Sequence, residues 1–146
     1  VRHTLSAGAI VYELFAHTAD LGIRVRAATL GELMADAARG LFAVIAGDLA
    51  QIEAVEERAF ALPGTDPTWL LHDWMSELLA VFAIERLLLR EFTVMVDGTG
   101  LLATARGERF DPSRHTLAHE IKAVTQHMLD VRHAPAGWEA EFIVDI

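Results

Sequence analysis

Apolar residues recur along this chain with two periods, and the switches between them divide it into elements. From Ile10 the run Ile-Val-Tyr-Glu-Leu-Phe-Ala alternates enough to predict a strand, ended by His17-Thr18-Ala19-Asp20. In the second run Ile23, Val25 and Ala27 face one way and Arg24 and Arg26 the other, which predicts a half-buried antiparallel strand. The period then becomes helical. Thr29 with Glu32 forms a capping box, Leu30, Leu33, Met34, Ala37, Leu41, Phe42 and Ile45 recur at helical spacing, and Gly47 supplies a stop. A change of phase near Glu56 within Gln51 to Leu62 predicts a strand with a bulge or bend.

After the loop Pro63-Gly64-Thr65, Asp66 caps a second helix with Pro67 at its first position. Trp69, Leu70, Trp74, Leu78, Leu79 and Phe82 form its broad apolar face. Strands follow at Glu91 to Val96 and Leu101 to Gly107, joined around Asp97-Gly98, then a loop at Asp111-Pro112-Ser113. Glu120 to Val131 is again strand-like. Trp138 to Ile146 alternates Trp138, Ala140, Phe142 and Val144 inward with Glu139, Glu141 and Asp145 outward. Residues 1–9 carry no pattern and are treated as a tail, leaving 10–146 as one domain. The order predicts an α+β fold, a single domain with two helices packed on one face of a largely antiparallel sheet.

Length and composition narrow the function. A chain of 146 residues is one ordinary domain. Its richest apolar stretch, Leu78 to Leu89, is broken by Glu85 and Arg86 before reaching membrane-spanning length, so no membrane role is expected. The first residues show no basic segment leading into an apolar run, and no secretory signal is expected. The absence of Cys excludes disulfides, thiolate zinc sites and thiol chemistry, and points to a reducing compartment, the cytoplasm. A net charge of -9, from 21 acidic against 12 basic residues, argues against strong direct nucleic-acid binding, because that affinity comes mostly from neutralising phosphates. Any link to RNA is expected to run through a protein.

Phosphate-binding glycine loops, nucleophile elbows, His-Glu-x-x-His pairs and EF-hand loops are missing from the sequence. The polar residues at predicted strand ends remain: His17 and Asp20, Glu120 with Lys122 and His127, and Asp145 beside the carboxyl group of Ile146. Asp20 suits either an Asx-type turn or a hard-cation ligand, and His17 either a structural imidazole or a ligand. Asp145 and the adjacent α-carboxylate crowd two anions into two residues, a cost that a cation relieves; if the first and last strands are neighbours, Asp20 adds a third oxygen donor for Ca²⁺ or Mg²⁺. Lys122, alternating with Glu120, suits either an exposed ion pair or a contact that needs a compact ammonium. It is the only Lys among twelve basic residues, in a chain that otherwise uses Arg. His72, His115, His119 and His133 are assigned to the surface or to structural roles.

These same residues carry a resemblance. Tyr-Glu-Leu-Phe-Ala-His-Thr-Ala-Asp-Leu-Gly-Ile-Arg-Val at Tyr12 to Val25, the helix Thr-Leu-Gly-Glu-Leu-Met-Ala-Asp-Ala-Ala-Arg-Gly-Leu-Phe-Ala-Val-Ile, the segment Leu-Leu-His-Asp-Trp-Met-Ser-Glu-Leu-Leu-Ala-Val-Phe, Arg106-Gly107-Glu108, Glu-Ile-Lys-Ala-Val-Thr-Gln-His at Glu120 to His127 and the closing Phe-Ile-Val-Asp-Ile resemble, in order, the archease family. The resemblance implies a small α+β protein that is not itself an enzyme. It implies an activator of the tRNA-splicing RNA ligase, promoting the ligase's guanylylation and multiple turnover in tRNA processing. It also implies a divalent cation, Ca²⁺ first with Mg²⁺ or Mn²⁺ as alternatives, held by Asp20, Asp145 and Ile146, and a functional Lys122, with His17, Glu120 and His127 as further partner-facing residues. Gln126 departs from the Tyr usual in the family's motif. Two other classes stay open: a metal-dependent phosphoester hydrolase using the same carboxylates, and a general chaperone or modulator of nucleic-acid-processing enzymes.

Overall fold

A computed structural model describes the backbone of residues 2–7, 10–17 and 20–146, and the side chains of 12–15 and 20–146. The order is β1 (Arg2–Ala7), β2 (Ile10–His17), β3 (Asp20–Ala27), α1 (Leu30–Ala46), a 3-10 turn (Leu49–Gln51), β4 (Glu56–Pro63), α2 (Pro67–Glu85), β5 (Leu87–Val96), β6 (Gly100–Arg109), β7 (Ala123–Val124), β8 (Asp130–Ala134) and β9 (Gly137–Asp145). This is the α+β class that the periodicity predicts, with every strand pairing antiparallel.

The strands divide between two sheets rather than one. The larger runs β1-β2-β3-β9-β7, with β8 also on β9, and the smaller runs β4-β6-β5. The reason lies in α1. A helix lying on one sheet needs one apolar stripe, whereas α1 buries thirteen residues, including Leu33, Met34, Ala37, Leu41 and Phe42 on the stripe and Ala35, Gly40 and Ala43 around it. It packs against β5 of the small sheet and against β2 and β3 of the large one. Its start is as predicted: Thr29 Oγ1 accepts the Glu32 N–H at 3.2 Å, and the Gly47 N–H closes the last turn on Ala43 O at 2.8 Å.

Helix α2 begins as expected, with Asp66 accepting the Thr68 N–H at 3.0 Å and Pro67 in first position. Its buried stripe is Leu70, Leu71, Trp74, Met75, Leu78, Val81 and Phe82. Trp69 lies off that stripe and is 49 % exposed, contrary to its predicted place on the apolar face; its ring meets His72 edge-on. The indole N–H of buried Trp74 donates to Met34 O at 3.0 Å and ties α2 to α1.

Four further segments differ from the sequence reading. Arg2–Ala7, within the patternless tail, pairs with β2; edge pairing runs through backbone groups and needs no side-chain alternation. The Gln51 to Leu62 segment is a strand only from Glu56, after the 3-10 turn. Glu120 to Val131 contains only the two residues of β7 and the start of β8, both on the same edge of β9 and separated by a turn in which Met128 takes φ 58°. Strand β5 starts at Leu87, four residues earlier than predicted, because a register shift between Leu89 and Glu91 interrupts the alternation that marks a strand. Within β6, Gly107 of the Arg-Gly-Glu motif is fixed by close approach: a Cβ there would lie 1.8 Å from Leu88 O.

Candidate functional site at one end of the large sheet

Strand β3 begins at Asp20 and β9 ends at Asp145, and antiparallel pairing sets the two opposite each other. On one flank His17 pairs with Asp20, and on the other Ala123 pairs with Asp145. The Lys122 N–H donates to Asp145 O at 2.8 Å, which fixes the lysine's backbone against the same residue. A row from His17 through Asp20 and Asp145 to Lys122 thus crosses β2, β3, β9 and the entry to β7. The first predicted strand, β2, is separated from β9 by β3, and it is the start of β3 and the end of β9 that bring the two acids together.

Directly opposed residues in such a ladder have Cβ atoms about 5 Å apart, and like charges there repel. Asp20 and Asp145 are both half-buried, which keeps water from screening them fully. The Ile146 side chain packs on the hydrophobic core, which fixes the chain next to Asp145. Among the described residues no set of three His, Cys, Asp or Glu side chains converges. A cation here would therefore have two side-chain carboxylates and complete its shell with backbone oxygens, those of Ile146 among them, or water. Hard cations with oxygen ligands accept such a set.

The other predicted residues divide. Lys122 is exposed, and no ion pair joins it to Glu120. Glu120 instead lines a cleft with Phe82, Arg86 and His119. The two were expected to alternate on one strand; the chain here is irregular because Ala118 and His119 donate to Ile45 O at the end of α1. His127 is exposed on the connection from β7 to β8, outside the row. The His17 side chain, with Thr18 and Ala19, lies outside the described residues.

Two buried charged clusters escaped the sequence reading. Glu108 and His115 are 6 % and 4 % exposed. Asp111 N–H donates to His115 Nδ1 at 2.9 Å, so Nε2 carries a proton and donates to Glu108 Oε1 at 2.6 Å; Glu53 N–H reaches the same oxygen at 3.0 Å, and Arg114 pairs with Oε2. Burial raises the Glu108 pKa, but these bonds outweigh it and hold the carboxyl below the usual glutamate range. In α1, Asp36 is buried beside Arg39 at 2.8 Å, and burial pushes its pKa to about 6 against the pull of that guanidinium. A signal existed for Asp36, since it sits between core positions Met34 and Ala37.

Fold and site define a small single-domain α+β protein that presents an opposed acidic pair and a lysine at one sheet end. Residues 12–146 match the model of the Archease protein family (MTH1598/TM1083). The chain is 38% identical over 139 residues to protein archease of Methanopyrus kandleri, covering 92% of this chain and 99% of that one. It is 36% identical over 140 residues to protein archease of Pyrococcus abyssi, covering 92% and 98%. The solution structure of Methanobacterium thermoautotrophicum protein 1598 superposes with a TM-score of 0.80 at 33% identity, covering 91% and 96%. The crystal structure of an archease, possible chaperone, from Thermotoga maritima shares the fold with a TM-score of 0.65 at 20% identity, covering 90% and 94%. The chain belongs to the archease family. Among the described residues no helix is long and apolar enough to cross a membrane.

Proposed function

We propose that this chain is a cytoplasmic accessory protein of the tRNA-splicing RNA ligase, promoting the ligase's guanylylation and repeated turnover, and that it works with a divalent cation at the Asp20–Asp145 end of the sheet. The observation that carries the reading is the direct opposition of Asp20 and Asp145, with Lys122 bonded to the backbone of Asp145. Asp20, Asp145 and Ile146 would hold Ca²⁺, or Mg²⁺ or Mn²⁺ in its place. When bound, the cation would relieve the repulsion between the carboxylates and stiffen this end of the sheet. Lys122, exposed beside the pair, offers a compact ammonium to a phosphate or carboxylate at the ligase's active site, where a pre-positioned charge stabilises charge that develops during transfer. The net charge of -9 suits a transient encounter with a basic protein surface, which salt would weaken.

Asp20→Ala and Asp145→Ala should each lower divalent-cation affinity by at least about tenfold while the far-UV circular dichroism spectrum is unchanged, because each removes an oxygen donor and also removes repulsion. Calorimetry with Ca²⁺ and with Mg²⁺ is the check; unaltered affinity in both variants removes the site. Lys122→Arg keeps the charge but not the compact shape, so it should stimulate the ligase as poorly as Lys122→Ala does. An Arg variant that stimulates normally would reduce Lys122 to a mere positive charge. The hydrolase reading would prevail if ligase-free protein cleaved phosphoesters on addition of metal.

A further inference from the structure

Helix α2 ends on Arg86, whose backbone lies in the left-handed region at φ 57°, ψ 31°. Glycine or asparagine is the usual residue there, because a Cβ is strained in that conformation. The backbone is pinned on both sides: Arg86 N–H donates to Phe82 O at 2.9 Å and Phe110 N–H to Arg86 O at 2.7 Å. The side chain is held too. Its guanidinium carbon lies 4.4 Å from the centroid of the Phe82 ring and 5.3 Å from that of Phe110. The Phe110 ring in turn stacks on His115, which is locked by Glu108.

Among the described residues no carboxylate lies within ion-pair distance of this guanidinium, and none of its N–H groups donates a hydrogen bond. By contrast Arg24, Arg26, Arg39, Arg58, Arg109, Arg114 and Arg132 all have carboxylate partners; Arg90 donates to Ile52 O at 2.8 Å, and Arg106, which also lacks a carboxylate, stands over no ring among the described residues. Arg86 is exposed, so its oriented guanidinium meets solvent with no anion of the described residues beside it, at a position where an arginine is conformationally unfavoured. Arg86 also lines an open cleft of about 310 Å³ with Phe82, Leu117, Ala118, His119 and Glu120, floored by the backbone that Ala118 and His119 bond to Ile45 O.

We infer that this cleft is a carboxylate-binding site in which Arg86 takes a planar, singly charged oxyanion on its fork, while Phe82 and Leu117 meet the apolar group that carries it. A guanidinium matches the two oxygens of a carboxylate bidentately. Glu120 on the rim repels a doubly charged phosphate more than a single carboxylate. The carboxylate belongs either to a small free acid or to an acidic side chain of a protein, and the site stands apart from the Asp20–Asp145 row and from any reading of that row.

The test follows the Arg86 Nε–H resonance in the parent and the backbone amide resonances of Leu117, Ala118, His119 and Glu120 in the parent and both variants, by NMR at constant ionic strength, while sodium acetate, the blocked tripeptide acetyl-Leu-Glu-Leu-amide, its Gln counterpart, or sodium phosphate is added. Acetate or the Glu peptide should give a saturable shift, and the Gln peptide none. Arg86→Lys should weaken binding by about tenfold through loss of the fork, and Arg86→Gly should abolish it. Arg86→Gly is a sound control because glycine suits the left-handed position, so the variant should keep the parent's circular dichroism spectrum. A Glu peptide bound at least about tenfold more tightly than acetate assigns the site to protein side chains, and equal affinity assigns it to free acids. No saturable shift with either carboxylate, tighter binding of phosphate, or undiminished binding to folded Arg86→Gly would overturn the inference.

Discussion

Replacing Glu108 by alanine should lower stability by about 3–5 kcal/mol, since it leaves two buried hydrogen-bond donors unsatisfied at roughly 1–3 kcal/mol each. The substitution leaves the His115 Nε2–H and the Glu53 N–H without their acceptor in a buried setting, and it frees Arg114 of its carboxylate. For a domain of this length the loss corresponds to a drop in Tm of roughly 10–20 °C. Glu108→Gln keeps one acceptor oxygen and the side-chain volume, so it should lose less than half as much. Because the folded Glu108 pKa is lowered, its contribution is complete above the ordinary glutamate range and is lost as pH falls through the folded value. Thermal melts of the three proteins between pH 3 and pH 8 check this; equal stabilities at neutral pH would mean that the network contributes nothing.

Asp36 should show the opposite sign. Its carboxyl titrates at about 6 in the folded chain against an ordinary 3.8, so between these values the native state binds more protons than the unfolded one. Stability therefore falls as pH rises through that window and levels off above it. A shift of this size corresponds to about 3 kcal/mol of disfavoured ionisation at neutral pH. Asp36→Asn keeps an acceptor for Arg39 and cannot ionise, so it should be about 2–3 kcal/mol more stable than the parent at pH 8 and no more stable at pH 3.5. Urea unfolding at the two pH values measures it. A destabilised Asn variant at pH 8 would show that the Asp36–Arg39 attraction outweighs burial.

Features that depend on a few neighbouring residues were readable from the sequence, and features that depend on long-range pairing were not. The caps Thr29 and Asp66 bond as their spacing predicts, and the Asp97 turn does so as well, with Asp97 Oδ1 accepting from Thr99 N–H at 2.7 Å and Gly100 N–H at 3.1 Å. Strand β9 shows its predicted inward Ala140, Phe142 and Val144, but Ile143 is buried as well. The pairing of Arg2–Ala7, the splitting of strands between two sheets and the breaking up of residues 120–131 all arise from tertiary partners, which no local pattern encodes. The candidate row follows the same division. Acidic residues at strand ends could be picked out individually, whereas the register that sets Asp20 against Asp145 is a property of the folded sheet. The tertiary course of residues 117–122 likewise sets Glu120 in another cleft, which spacing alone did not reveal.

The role proposed for this protein is to activate a ligase while doing no ligation itself. Its most direct measurement is transfer of radiolabelled GTP to the cognate tRNA-splicing ligase, with Mn²⁺, across a range of salt concentrations and with this protein below stoichiometric amount. Expected are faster guanylylation and more ligation cycles per ligase, a stimulation that falls as salt screens the encounter, and no label on this protein alone. A guanylylation rate that is the same with and without the protein, at every salt and metal concentration, would contradict that role.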